Sequence, residues 1–335
     1  MPPQHASPQP RSVLVYGTEE RTGDGLIKLP FLAGLRAAFP EAQLVWCAAR
    51  GRSVYADWLA PIAMPLMDEL LLEGPHSPSP LAWLPWARPF GGRRFDLVID
   101  TQMNLRRTLA LRPAAGVLIS PNAGFLFSAR RPPAWPPGLA DRLHVLLEVA
   151  AERPVARAVV DVLDDELREA AARLLPGTGY VGLAPGAGGI DRRWPLARYI
   201  ELATRLHAEG RPVLFLLGPQ EVEHIPTIRA ACPWALLPLQ MPHGLGPERT
   251  PRLIVAVAGR LLAAVASDAG PGHLLAAGGA PLVSLAIARH KASKFRPATG
   301  RLVTLVAETL GESSIAGISL ELVDGALREL MKPAR

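Results

Sequence analysis

Short apolar runs alternate along this chain with longer stretches in which apolar residues recur every three or four positions. Val13-Leu14-Val15-Tyr16-Gly17 is an apolar run closed by glycine and predicts a buried parallel strand. A polar loop is expected over 18–25, followed by a helix with Ile27, Phe31, Leu35 and Ala38 on one face, ended at Pro40. Further strands are predicted over 43–48, 95–100, 180–183, 212–217, 261–266 and 281–287, and helices over 139–151, 161–175, 195–208 and 319–331. In the 195–208 helix the stripe is Leu196, Ile200, Ala203 and Leu206, with Pro195 in the first turn and Gly210 past the end. Strands alternating with helices predict an α/β fold whose parallel sheets are covered on both faces.

Two segments interrupt the alternation. Residues 73–94 are rich in Pro and Gly and carry Trp83 and Trp86. They read equally as an ordered surface loop or as a rim touching an acceptor or a membrane. Residues 121–138 are again Pro-rich, and Gly177-Thr178-Gly179 marks a turn before a fresh strand. The inter-domain junction is therefore expected between 152 and 178, dividing the chain into a loose tail (1–11), a first domain (12–160) and a second (161–335), both Rossmann-like.

A length of 335 residues gives each domain enough chain for its own core. The net charge of +6 and a pI near 9.8 predict anionic partners: nucleotide diphosphates, phosphorylated lipids or an anionic membrane face. No dense Lys/Arg block appears, so nucleic acid is not an expected partner. Cys47 and Cys232 lie far apart without metal-ligand spacing, which predicts buried reduced thiols and a cytoplasmic location. The Pro- and Gln-rich start has no apolar core and does not read as a signal peptide. No run of about 18 apolar residues predicts a membrane span, leaving only peripheral contact with the inner face of the cytoplasmic membrane.

The candidate chemistry lies where strands are predicted to end. Pro185-Gly186-Ala187-Gly188-Gly189-Ile190-Asp191-Arg192-Arg193-Trp194-Pro195 reads as a strand end, a glycine-rich turn and a helix start. Ser267-Asp268-Ala269-Gly270-Pro271-Gly272-His273 has the same form. Such junctions aim backbone N–H groups and a positive dipole end at an anion. Gly186 and Gly188 allow close backbone approach, and Arg192 and Arg193 offer guanidinium forks to phosphate oxygens. Asp268 caps the helix that follows, meets a sugar hydroxyl, or does both, with amides near Gly270 facing the diphosphate. His273 falls in the first helical turn, where a structural role is commoner than a catalytic one. Glu221, past the 212–217 strand, reads as a ribose acceptor or an exposed first-turn glutamate. Asp24, between Gly23 and Gly25, is a candidate general base or an N-cap. The loop does not match G-x-G-x-x-G, and no acid is placed for a ribose 2′-hydroxyl, so a dehydrogenase is disfavoured.

In their order along the chain these residues resemble glycosyltransferase family 9, the ADP-heptose:lipopolysaccharide heptosyltransferases. The resemblance is carried by Gly23-Asp24-Gly25-Leu26-Ile27-Lys28-Leu29-Pro30, Leu35 to Pro40, Phe95 to Asp100, the Pro-Gly-Ala loop with Arg-Trp-Pro, Gly218 with Glu221, and Asp268 to His273. It implies a GT-B fold with catalysis in a cleft between two Rossmann-like domains. It also implies inverting transfer without a metal or any cofactor beyond the nucleotide-sugar donor, most simply ADP-heptose. The expected acceptor is a lipopolysaccharide core or related glycan or glycolipid. By the same resemblance Asp24 would deprotonate the acceptor, Arg192 (commonly lysine in the family) would hold the leaving diphosphate, Glu221 would meet the ribose and Asp268 the donor sugar. The chain departs from the family at Ala187 and Gly188, where hydroxylated residues are common, and at Ala288-Arg289-His290-Lys291, which replaces a Gly-Pro-Thr turn. A nucleotide-sugar epimerase, or a degenerate member serving as a binding subunit, are the alternative readings.

Overall fold

The computed structural model describes residues 9–75, 84 and 86–333. The chain divides into two compact units, Met1–Val160 and Asp161–Arg335.

The first unit carries β1 (Ser12–Gly17), α1 (Thr22–Ala38), β2 (Gln43–Ala48), α2 (Ala60–Ala63), β3 (Glu69–Leu71), β4 (Phe95–Asp100), α3 (Leu105–Leu111), β5 (Ala115–Ile119) and α4 (Leu139–Ala151). Its sheet is parallel, in the order β3-β2-β1-β4-β5. Buried residues Leu14, Tyr16, Val45, Cys47, Val98 and Leu111 form one core cluster. On α1, a Cβ at Gly34 would lie 2.5 Å from the Leu147 side chain, so the missing side chain lets α1 and α4 approach closely.

Two expectations are modified here. The helix expected after Gly25 starts at Thr22, so Gly23, Asp24 and Gly25 are helical. A Cβ at Gly25 would sit 2.3 Å from Val54 Cγ2, and the Tyr55 hydroxyl donates to the Gly25 carbonyl at 2.9 Å. Packing against the turn at Val54–Ala56 thus overrides the poor helix propensity of glycine. Arg11, expected within a loose tail, is tied to the sheet, its N–H donating to Asp96 Oδ2 at 2.8 Å and its carbonyl accepting from Gln43 at 2.8 Å. Residues 1–8 lie outside the described residues. So do 76–83 and 85 of the loop expected over 73–94, Trp83 included, whereas Trp86 is 73% exposed.

The second unit carries α5 (Asp165–Leu174), β6 (Tyr180–Ala184), α6 (Leu196–Ala208), β7 (Val213–Phe215), α7 (Ile225–Ala231), α8 (Thr250–Ala258), β8 (Leu261–Ser267), α9 (Gly270–Ala277), β9 (Leu282–Ala286), α10 (Arg289–Lys294), β10 (Leu302–Val306) and α11 (Leu320–Met331). Its sheet is also parallel, in the order β10-β9-β8-β6-β7. Val181, Leu183, Phe215, Val265 and Leu285 from the strands pack with Trp194, Leu202, Leu206, Val323 and Leu327. The helix expected over 161–175 starts later, where the Asp164 carboxylate accepts from the Leu167 N–H at 3.0 Å and caps it. Pro195 is the cap residue of α6 rather than part of its first turn.

Both sheets have the same logic. In each, the chain leaves a central strand toward one edge and returns beside that strand toward the other. This puts the topological switch between β1 and β4 in the first unit and between β6 and β8 in the second. Ligands of open α/β sheets bind beyond the carboxyl ends of the strands at such points. Among the described residues no helix is long and apolar enough to cross a membrane.

Candidate functional site

In the second unit, the glycine-rich turn after β6 and the Asp268 turn after β8 flank the switch point, since these strands pair directly. Trp194 anchors the first turn. It is buried to 1% exposure, donates its indole N–H to the Ile318 carbonyl at 2.9 Å and stands edge-on to Tyr199 at 4.8 Å. The Arg193 Nε donates to the Ala187 carbonyl at 3.3 Å and closes the turn on itself. Arg193 thereby braces the loop, while Arg192 stays exposed. A Cβ built on Gly188 or Gly189 would meet nothing within 4 Å, so open space lies over this backbone.

Gly186 is glycine for a different reason. A Cβ there would lie 3.0 Å from the Glu221 carboxylate, and one on Gly218 would also lie 3.0 Å from Glu221 Oε2. Glu221 is therefore not an exposed first-turn residue. It is 7% exposed, tucked between the turns that follow β6 and β7. Gly186, Gly218 and Glu221 form one constellation, and a ligand seated on the loop backbone would meet that carboxylate.

In the turn after β8, Asp268 is not the cap residue of α9. The cap position of α9 is Ala269, which makes no side-chain cap, and the Asp268 carboxylate has no hydrogen bond among the described residues. Asp268 is half-buried, held by its own N–H donating to the Leu285 carbonyl at 2.7 Å. Burial pushes its carboxyl above the ordinary value, while Arg192 and Lys291 pull it down. Arg192, Asp268 and Lys291 thus share one electrostatic neighbourhood, from the turn after β6, the turn after β8 and α10. Sequence reasoning noted the basic segment 288–291 but did not single out Lys291 as a site residue. His273 is 7% exposed, and burial pushes its imidazole down to about 4. At neutral pH it carries no charge and offers a donor only a neutral ring beside the amides near Gly270.

In the first unit, Asp24 sits half-buried in the first turn of α1. Its cap residue is Arg21, without a side-chain bond, so Asp24 is not the N-cap. The carboxylate has no hydrogen bond or ion-pair partner among the described residues. Beneath it lies a feature the sequence did not announce: Lys28 Nζ donates to Glu20 Oε1 at 2.9 Å, and the two side chains are 5% and 0% exposed. On the other side of the switch point, Asp100 ends β4 fully buried, accepting from Thr108 Oγ1 at 2.6 Å, Ser120 Oγ at 2.9 Å and the Gln102 N–H at 2.8 Å. Burial pushes its carboxyl up to about 6 against those hydrogen bonds.

The family model for glycosyltransferase family 9 (heptosyltransferase) matches residues 84–314. That span contains the two glycine turns, Glu221 and Lys291, and begins after Asp24. The lipopolysaccharide heptosyltransferase 1 of Pseudomonas aeruginosa is 27% identical over 283 residues, covering 78% of this chain and 75% of that protein. Among solved structures, a family 9 glycosyl transferase from Veillonella parvula superposes with a TM-score of 0.65 at 19% identity, covering 96% of this chain and 97% of the other. The E. coli heptosyltransferase WaaC with ADP gives a TM-score of 0.64 at 18% identity, covering 95% and 99%. These likenesses share the GT-B fold.

Proposed function

The chain belongs to glycosyltransferase family 9, and from that premise we propose that it transfers a heptose from ADP-heptose to a lipopolysaccharide core or related glycan, with inversion and without a metal. Membership makes it a glycosyltransferase, and the epimerase alternative falls with it. The observation that carries the donor reading is the constellation at the second switch point. Glu221 is packed on Gly186 and Gly218, and Arg192 and Lys291 converge on Asp268 beside uncapped amides of α9.

Each group in this reading has a task set by where charge appears. As the glycosidic bond breaks, negative charge collects on the leaving diphosphate, where Arg192, Lys291 and the α9 amides stabilise it. The sugar carbon becomes cationic in character, and Asp268 is the carboxylate assigned to the sugar. Glu221 accepts from ribose hydroxyls. Asp24, with lone pairs uncommitted, takes the proton of the acceptor hydroxyl as its oxygen attacks. Two side-chain cations and a helix terminus cover the charge that a divalent ion would otherwise cover. Activity undiminished in EDTA is the expected outcome, and loss of activity restored by added Mg²⁺ would overturn metal independence.

The deciding experiment incubates the protein with ADP-heptose, with and without a heptose-free lipopolysaccharide core. ADP release that requires the acceptor is expected. Donor binding without transfer to any such acceptor would leave the chain a binding subunit. Asp24→Asn is expected to abolish transfer and keep donor binding, whereas retained turnover would remove the base assignment. Cytoplasmic location and peripheral contact with the inner membrane face belong to the same reading, supported by the net charge of +6 and the exposed Trp86. Co-sedimentation with anionic vesicles, lost in Trp86→Ser, tests that contact.

A further inference from the structure

The Glu20–Lys28 pair has no part in the chemistry described so far, yet its surroundings are built around it. Both side chains are buried, joined at 2.9 Å, with Lys28 Nζ 6.0 Å from the centre of the Trp46 ring. Gly17 makes room, since a Cβ there would fall 2.6 Å from Glu20 Oε1 and 3.7 Å from Lys28 Nζ. The Glu20 main chain is pinned on both sides, its N–H donating to the Arg52 carbonyl at 3.3 Å and its carbonyl accepting from Val54 at 3.1 Å. Its Oε2 is buried without a hydrogen-bond partner among the described residues. Burying an ion pair this thoroughly is a weak route to stability, so its position invites another explanation.

Lys28 stands four residues after Asp24 on α1, the spacing at which an acid and a following lysine pair on a helix surface. No such pair forms; the ammonium instead donates to Glu20. We propose that Glu20 is a positioning residue that keeps Lys28 away from Asp24, leaving the Asp24 carboxylate free to accept the acceptor's proton. The proposal rests on Asp24 being the base. The other charged or titratable groups near this turn leave that role to Lys28. The Tyr55 hydroxyl is spent on the Gly25 carbonyl, and the exposed Arg21 is paired with Glu19 at 3.2 Å. Without the Glu20 charge, the buried ammonium has Asp24 as its nearest carboxylate along the helix. A cation beside a carboxylate lowers its proton affinity and makes it a weaker base.

The test is the pH profile of kcat/KM for the acceptor at saturating donor, in full-length protein. In Glu20→Gln the acid limb is expected about one pH unit lower than in the wild type, with kcat down roughly threefold to tenfold. In Glu20→Gln/Lys28→Met no cation remains to capture Asp24, and both the limb and kcat are expected to return toward wild type. A structural role alone would lower activity at every pH, leave the limb in place and show no recovery in the double variant; that result overturns the proposal. Should Glu20→Gln not fold, Glu20→Asp is expected to shift the limb the same way by less, and an unmoved limb there counts equally against it. Asp24→Asn in the same series separates the two ideas. If it retains turnover, the base assignment fails; if it is inactive while Glu20→Gln leaves the limb unmoved, only the role of Glu20 fails.

Discussion

Arg192 and Lys291 act on Asp268 electrostatically from separate elements, and neither forms an ion pair with another described side chain, Asp268 included. Cations left uncommitted at a strand-end crevice are suited to an anion that comes and goes. Removing one charge-assisted contact to phosphate costs about 1.5–3 kcal/mol. Arg192→Ala and Lys291→Ala are each expected to weaken ADP binding by roughly tenfold to a hundredfold. Both should also flatten the salt dependence of binding, read by calorimetry across ionic strength. Unchanged affinity would take that residue out of the phosphate site. Gly186 makes a second prediction of the same scale. In Gly186→Ala the new methyl would press on the Glu221 carboxylate at 3.0 Å. Because Gly218 also lies against Glu221 Oε2, the carboxylate would be displaced from the position proposed for ribose contact. A raised KM for donor with little change in kcat is expected.

Two buried titratable groups, one in the first turn of a helix and one at a strand end, make opposite demands on pH. His273, at the start of α9, is held neutral down to about pH 4, whereas an unfolded histidine takes its proton near 6.5. Its contribution to stability is therefore full above pH 6.5 and is lost as pH falls toward 4, by up to about 3 kcal/mol. Asp100, at the end of β4, keeps its proton up to about pH 6 when folded and releases it near 3.8 when unfolded. Its contribution is present below pH 3.8 and is lost as pH rises toward 6, by a similar amount of about 3 kcal/mol. Denaturant midpoints should show His273→Gln gaining on the wild type as pH drops from 7 to 4. Asp100→Asn should gain on it as pH rises from 4 to 7. Equal slopes for variant and parent would refute either assignment. The elements that hold these groups were not equally visible in the sequence. β1 and β8 are apolar runs legible from the sequence, and the 212–217 run gave away the short β7, whereas β3 has only three half-buried residues, too few to show a period. The edge strand β10 is only half-buried, and α8 is buried from Arg252 through Ala258, so neither shows a clear one-sided pattern. Of the site, the strand-end glycines and acids could be read because they depend on local chain order. The burial of Glu221 could not, because it depends on Gly186, thirty-five positions away. Nothing in the order of residues marks Lys28 as buried, and only the fold brings it against Glu20.

At the scale of the whole chain, the proposed tasks are divided between units that each have the means to fold. Asp161–Arg335 contains a five-stranded parallel sheet, its covering helices and a continuous apolar cluster running from Val181 to Leu330. Every residue assigned to the donor, from Gly186 to Lys291, belongs to that unit, and Asp24 belongs to the other. A unit with its own core is expected to fold alone. Residues 161–335 expressed by themselves should therefore unfold cooperatively and bind ADP within about threefold of the full chain, a difference of less than 1 kcal/mol, while transferring no sugar. Calorimetric titration of ADP into both proteins measures this directly. A folded fragment that fails to bind ADP, beside a full chain that does, would mean that the first unit supplies donor contacts. The partition of the two substrates between the two units would then be wrong, and Asp24 would have to be reconsidered as a donor residue.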